Sequence, residues 1–136
     1  MFGALAAAYR AGSEPKGAAL ASPAETVEQY FNAWTSKDFD TARSLMHDDL
    51  SFSGPFDTFD TADALLESIK GLTQMLESAE RRGLIADGDQ VCAIYSLHTG
   101  PVGTAPVAEW YTVRDGKIAS IEAFFDARPF APMFER

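Results

Sequence analysis

Apolar side chains at Val27, Tyr30, Phe31 and Trp34 recur at helical spacing, which predicts an amphipathic helix over residues 23 to 35 with one stripe facing a core. Ser22 stands where an N-cap belongs, Pro23 at the first helical position, and Glu25 at the spacing that completes a capping box. SKDFD breaks this helix, and DFDTARSLM predicts a second that buries Phe39, Ala42, Leu45 and Met46. DDLSFSGPF reads as a short strand ended by Gly54 and Pro55, and Leu65, Leu66, Ile69 and Leu72 mark a third helix from Thr61 to Leu72.

Beyond residue 73 the texture changes to four strand-like stretches, roughly 74 to 86, 90 to 99, 105 to 114 and 117 to 126, separated by DGD, GPVGT and RDGK. MLESAERR is rich in helix formers, so an extension of the third helix competes with a strand there. Helices gathered first and strands last predict a segregated α+β fold with an antiparallel sheet. Alternation puts Val107, Glu109, Tyr111 and Val113 on one face and Trp110 on the other. An outward Trp110 is best explained by burial against a second copy of the chain. On the last strand Ile121, Ala123 and Phe125 share a face opposite to Glu122, Phe124 and Asp126, so Phe125 and Asp126 do not both look inward without a bulge.

A length of 136 residues fits one domain, expected over 22–136. The Ala/Gly-rich stretch 1–21 reads as a poorly ordered or loosely helical tail. Arg10, Glu14 and Lys16 interrupt the apolar core a signal peptide needs, and no run reaches the length of a membrane span. Twenty acidic against eleven basic side chains give a formal charge of −9, which disfavours nucleic acid and anionic membrane as partners. The single Cys92 forms no internal disulfide and fits a reducing cytoplasm. Ten Phe, four Tyr and two Trp are enough to line a cavity with rings.

The run VEQYFNAWTSKDFDTARSLMHDDLSF, followed by EWYTVRDGKIASIEAFFD, resembles the nuclear transport factor 2-like superfamily and its SnoaL-like, ketosteroid isomerase and polyketide cyclase branches, over about residues 23 to 128. The resemblance implies a cone-shaped, curved antiparallel sheet wrapped around three N-terminal helices, a cystatin-like α+β barrel. It also implies an enclosed apolar pocket, and dimers through the outer face of the sheet. Trp34, Phe56, Tyr95, Tyr111 and Phe125 are the expected lining of that pocket.

The resemblance places Tyr30 at the isomerase branch's oxyanion-hole tyrosine and Glu109 at or beside its protonated carboxylic acid, where a buried neutral acid donates to a developing enolate. The position of that branch's proton-transferring aspartate falls on Gly54, which has no side chain; Asp57, three residues on, is the nearest alternative. Asp126 resembles the final-strand aspartate that acts as base in SnoaL-like cyclases, although Arg128 is at hand to pair with it. His98, at the end of VCAIYSLH, is a further candidate acid or base, and His47 looks like a helix-terminal loop residue. The two His and one Cys lack metal-ligand spacing, and nucleotide-binding glycine motifs are absent. No metal or cofactor is therefore expected.

Two functions follow. One is a cofactor-independent isomerase, cyclase, dehydratase or hydrolase working by acid–base proton transfer on a small hydrophobic, oxygenated molecule. The other is a non-catalytic ligand-binding or dimerisation module, which the absent side chain at Gly54 favours.

Overall fold

The computed structural model describes residues 21–134. The tail expected over residues 1–21 therefore lies almost wholly outside the described residues. Helix α1 spans Pro23–Thr35, and its capping box is formed on both sides: Ser22 N–H donates to Glu25 Oε1 at 2.9 Å and Glu25 N–H donates to Ser22 Oγ at 3.1 Å. Its apolar stripe of Val27, Tyr30, Phe31 and Trp34 is buried. Lys37, at φ 66°, turns the chain away from the helix end.

Helix α2, Phe39–Ser44, is shorter than its pattern suggests. Met46 leaves it to open strand β1, Met46–Ser53, because β1 is recruited into the sheet: Ile118 N–H donates to Leu45 O at 2.8 Å and Met46 pairs with Ile118. A two-residue strand β2, Thr58–Phe59, folds back on β1, and helix α3 follows over Ala62–Thr73, capped by Thr61.

The remaining strands are β3 Leu76–Asp87, β4 Gln90–Thr99, β5 Gly103–Arg114 and β6 Lys117–Phe125. The helix-forming run MLESAERR belongs to β3, since pairing along the whole of β4 outweighs its weak local preference. The RDGK turn closes with Asp115 at φ 55° and Gly116 at φ 76°, the left-handed pair that a tight hairpin requires. A 3₁₀ turn at Arg128–Phe130 and a short helix α4 at Ala131–Phe134 end the described chain.

The six strands form one curved, unclosed sheet in the order β2-β1-β6-β5-β4-β3. Every pairing is antiparallel except β1 with β6, which is parallel. The helices cover one face and the core lies between, built from α1, α3 and the inward residues of β4, β5 and β6. Arg81 ties β3 to α1: its guanidinium pairs with Glu28 and lies 4.4 Å from the centre of the Phe31 ring. The other face of the sheet leaves Ile85, Trp110 and Phe124 exposed at 69%, 50% and 50%.

Candidate active site

Strand β5 alternates cleanly between buried and accessible positions, and that period puts Val107, Glu109, Tyr111 and Val113 inside. Between this face, α1 and α3 lies a cavity of about 340 Å³. Its walls are mainly rings and aliphatic side chains, among them Trp34, Phe52, Leu65, Ile69 and Phe125. Its ionisable groups are Tyr30, Asp57, Tyr95 and Glu109.

Glu109 is the chemical centre. It is only 9% exposed, and its Oε1 accepts a hydrogen bond from the Tyr111 phenol. Tyr95 reaches the same carboxyl from β4 as a second hydrogen-bonding phenol. Burial pushes the Glu109 pKa above the usual carboxylate range; the two phenols and the Arg81 charge oppose this without cancelling it. The three phenols of Tyr30, Tyr95 and Tyr111 are held well above their ordinary value, first by burial and next by the neighbouring Glu109. All three therefore remain donors at neutral pH. Tyr30 meets Tyr111 edge to face at 6.0 Å between ring centres, so α1 fixes the ring that fixes Glu109.

The fold thus brings together Tyr30 and Glu109, with Trp34, Phe56, Tyr95 and Phe125 on the cavity wall. Three placements differ from expectation. Tyr111 stands behind Glu109, fully buried, and supports the carboxyl rather than lining the cavity. Asp126 is outside the cavity: strand parity turns it to the surface, where it forms a two-pronged ion pair with Arg128 at 2.8 and 2.9 Å that holds its pKa down to about 2. His98 is on the opposite side of the sheet from Leu97, its Nδ1 2.9 Å from Thr104 Oγ1. Neither Asp126 nor His98 can move a proton within the cavity. His47 Nε2 lies 2.6 Å from the Arg114 carbonyl, a contact between β1 and the end of β5.

Gly54 does border the cavity, and a Cβ built on it would meet the Phe52 ring at 3.0 Å. The space a side chain needs there is filled by an aromatic neighbour. Asp57 borders the cavity from the adjoining loop. Phe130, in the 3₁₀ turn after β6, is buried on the cavity wall, with its ring 5.3 Å from that of Phe125. Phe52 and the cavity face of α3 were legible only as core positions, since the alternation of Leu50, Phe52 and Gly54 marks an inward face but not a void beside it. Among the described residues no three His, Cys, Asp or Glu side chains are grouped to hold a metal, and no helix is long and apolar enough to cross a membrane.

A curved, unclosed six-stranded sheet with three helices packed against one face is the nuclear transport factor 2-like fold. Within that class, residues 27–121 match the model of the SnoaL-like domain, and the chain belongs to that family. A crystal structure of a protein from Kribbella flavida shares 31% identity over 80% of this chain and 90% of its own, with a TM-score of 0.76. A nuclear transport factor 2-like protein from Cytophaga hutchinsonii shares the fold at 20% identity and TM-score 0.72, over 86% of this chain and 98% of its own. An LEH-like epoxide hydrolase from M. tuberculosis shares it at 23% identity and TM-score 0.68, over 81% and 86%. No match was found among curated protein sequences.

Proposed function

We propose that this protein binds a small, apolar molecule carrying one carbonyl or hydroxyl group and catalyses a cofactor-independent proton transfer on it. The observation that carries this reading is Glu109, a buried carboxyl with a raised pKa on the wall of a cavity lined mainly by apolar side chains. Tyr111 occupies Oε1 and Tyr95 also reaches the carboxyl, while burial favours its neutral form, whose O–H can be donated to a ligand oxygen. Tyr30 and Tyr95 add phenol donors on the same wall. Such donors, fixed in a dry site before the reaction, stabilise negative charge as it develops on a carbonyl oxygen. Proteins that share the fold include an LEH-like epoxide hydrolase, and acid-assisted opening of an oxygenated ring belongs to the same chemistry.

The test is direct binding. 2-Naphthol, an apolar bicyclic enol mimic, should bind the unmodified protein and lose at least about tenfold in affinity with Glu109→Gln, which keeps the shape but not the acidic proton. Equal binding by both proteins would remove Glu109 from the site. A second reading, a ligand-binding module without turnover, is favoured by Gly54, whose lack of a side chain leaves the position of the isomerase base empty of a carboxylate.

The same proposal includes a homodimer joined through the outer face of the sheet, where Trp110, Phe124 and Ile85 are exposed. It also places the protein in the cytoplasm, where the free Cys92 on that face stays reduced.

A further inference from the structure

The charged groups around the cavity have one sign. Among the described residues, every ionisable group on its wall is an acid or a phenol, and no Lys, Arg or His borders it. The two acids stand far apart: Glu109 is on β5, and Asp57 lies in the turn from β1 to β2, with β6 and β1 between them in the sheet. Three strand spacings put their Cα atoms about 14 Å apart before the curvature of the sheet draws them closer. Glu109 is enclosed among phenols, whereas no ion pair among the described residues includes Asp57. Arg81, opposite Tyr95 in register and off the cavity wall, pairs with Glu28, and Arg128 pairs with Asp126 at the surface.

Aromatic rings enclose the Asp57 end. The β1–β2 hairpin pairs Phe52 with Phe59 and Ser53 with Thr58, and the Gly54 N–H bond to Asp57 O at 2.9 Å continues that register by one pair. Asp57 therefore lies on the face that carries Phe52. The Phe52 ring covers Gly54, where a Cβ would meet it at 3.0 Å. Phe56, next to Asp57 in the chain, meets Phe125 at 6.3 Å between ring centres. Rings beside a carboxylate are what a positively charged nitrogen needs: the ring faces attract a cation that has left water, and the carboxylate supplies the counter-charge. A carboxylate, sulfonate or phosphate on the ligand would meet acids of its own sign and no positive partner. A wholly uncharged ligand would strip water from Asp57 and give nothing in return.

We infer that the ligand of this cavity carries a positively charged nitrogen at the end remote from its oxygen, held by Asp57 against the rings of Phe52, Phe56 and Phe125, and that the cavity excludes anions. The inference rests on the reading of Glu109 as the partner of the ligand oxygen and adds to it the class of molecule: a tertiary or quaternary amine whose ring bears a hydroxyl or carbonyl group. A tertiary or quaternary nitrogen suits this place because its surface is mostly hydrocarbon and it needs few acceptors, and one carboxylate is what the site offers. A benzene ring with a hydroxyl and a para ammonium spans about 13 Å once its hydrogen bond and ion contact are included, close to the separation of the two acids. A cavity of about 340 Å³ holds a molecule of that size.

The experiment compares three para-substituted phenols by calorimetry: (4-hydroxyphenyl)trimethylammonium, its uncharged carbon isostere 4-tert-butylphenol, and 4-hydroxybenzenesulfonate. It is run at about 0.3 M salt, where the long-range field of a chain of formal charge −9 is screened. The unmodified protein should bind the ammonium compound at least about tenfold more tightly than 4-tert-butylphenol, and the sulfonate not detectably. Asp57→Asn should bring the ammonium compound to within about threefold of 4-tert-butylphenol, whose own affinity stays within about threefold of its original value. Asp57→Glu, which keeps the charge, should keep the preference, and thermal melts establish that both variants fold. Equal or weaker binding of the ammonium compound by the unmodified protein would overturn the inference, as would an Asp57→Asn protein with the full preference. If 4-tert-butylphenol then still binds and loses affinity in Glu109→Gln, the reading of Glu109 stands and only the charged nitrogen falls. An unmodified protein that binds none of the three overturns both.

Discussion

Tyr111 donates its phenol hydrogen to Oε1 of Glu109, two residues back on the same face of β5, so one strand supplies both the acid and the group that orients it. Tyr111→Phe removes, at a fully buried position, one of the two phenols that hydrogen-bond the Glu109 carboxyl. The expected cost is about 1–3 kcal/mol of stability in denaturant unfolding. The lost bond also favoured the ionised form, so carbon-13 NMR of the carboxyl should show the Glu109 pKa moving further up in this variant.

The raised pKa of Glu109 links stability to pH with a definite sign. Burial, its largest cause, makes the folded state hold its proton more tightly than the unfolded chain. This contribution is fully present below the unfolded glutamate value and is lost as pH rises through the folded one. Glu109→Gln has no such proton to lose. Melting temperatures of the two proteins, compared from about pH 4 to about pH 8, should therefore converge or cross toward higher pH as the unmodified protein loses its advantage. A constant difference across that range would mean that Glu109 titrates as it does in the unfolded chain. Asp126 runs the opposite way, its contribution falling only as pH drops toward about 2, and its full exposure keeps that contribution slight.

Much of this arrangement is legible in the sequence because it is local. The capping box at Ser22 and Glu25, the stripe ending at Trp34 and the alternation through Glu109 each lie within one element, where period and spacing suffice. The same parity separates Phe125 from Asp126, and Leu97 from His98, which decides that the two surface groups stand apart from the cavity. What crosses elements is not legible. The parallel pairing of β1 with β6, which takes Met46 out of helix α2, depends on contacts between residues some seventy positions apart. The partnership of Gly54 with Asp57 rests on a Pro55-Phe56 turn that carries none of the Asn-Gly or Asp-Gly signature of a tight hairpin. The support of Glu109 by Tyr95 likewise needs the register of β4 on β5.

The outer face of the sheet gives a prediction independent of the cavity. In register, Ile85, Cys92, Trp110 and Glu122 form one transverse row, and Gly83, Ile94, Ala108 and Phe124 the next. The apolar side chains of these two adjoining rows make a patch on a solvent-facing sheet that is costly for a monomer. Trp110→Glu and Phe124→Glu should each shift sedimentation from dimer to monomer while leaving the fold and 2-naphthol binding intact. A protein that sediments as a monomer without substitution would refute the dimer.

Ala123 offers the sharpest separation of cavity from core. It lies between Glu109 and Gly54 on the cavity floor, and it is 6% exposed, so its substituent grows into the void and not into solvent. In a packed core, a small-to-large change costs about 1–3 kcal/mol because side chains must move aside. Here Ala123→Phe finds space within about 340 Å³ and should leave the melting temperature unchanged or raise it. The ring would stand across the strand from Glu109 and screen its carboxyl from any ligand. Binding of 2-naphthol should fall below detection in a protein at least as stable as the original. Retained binding with a raised melting temperature would place the ligand elsewhere; a strongly lowered melting temperature would show that the void is closed in solution.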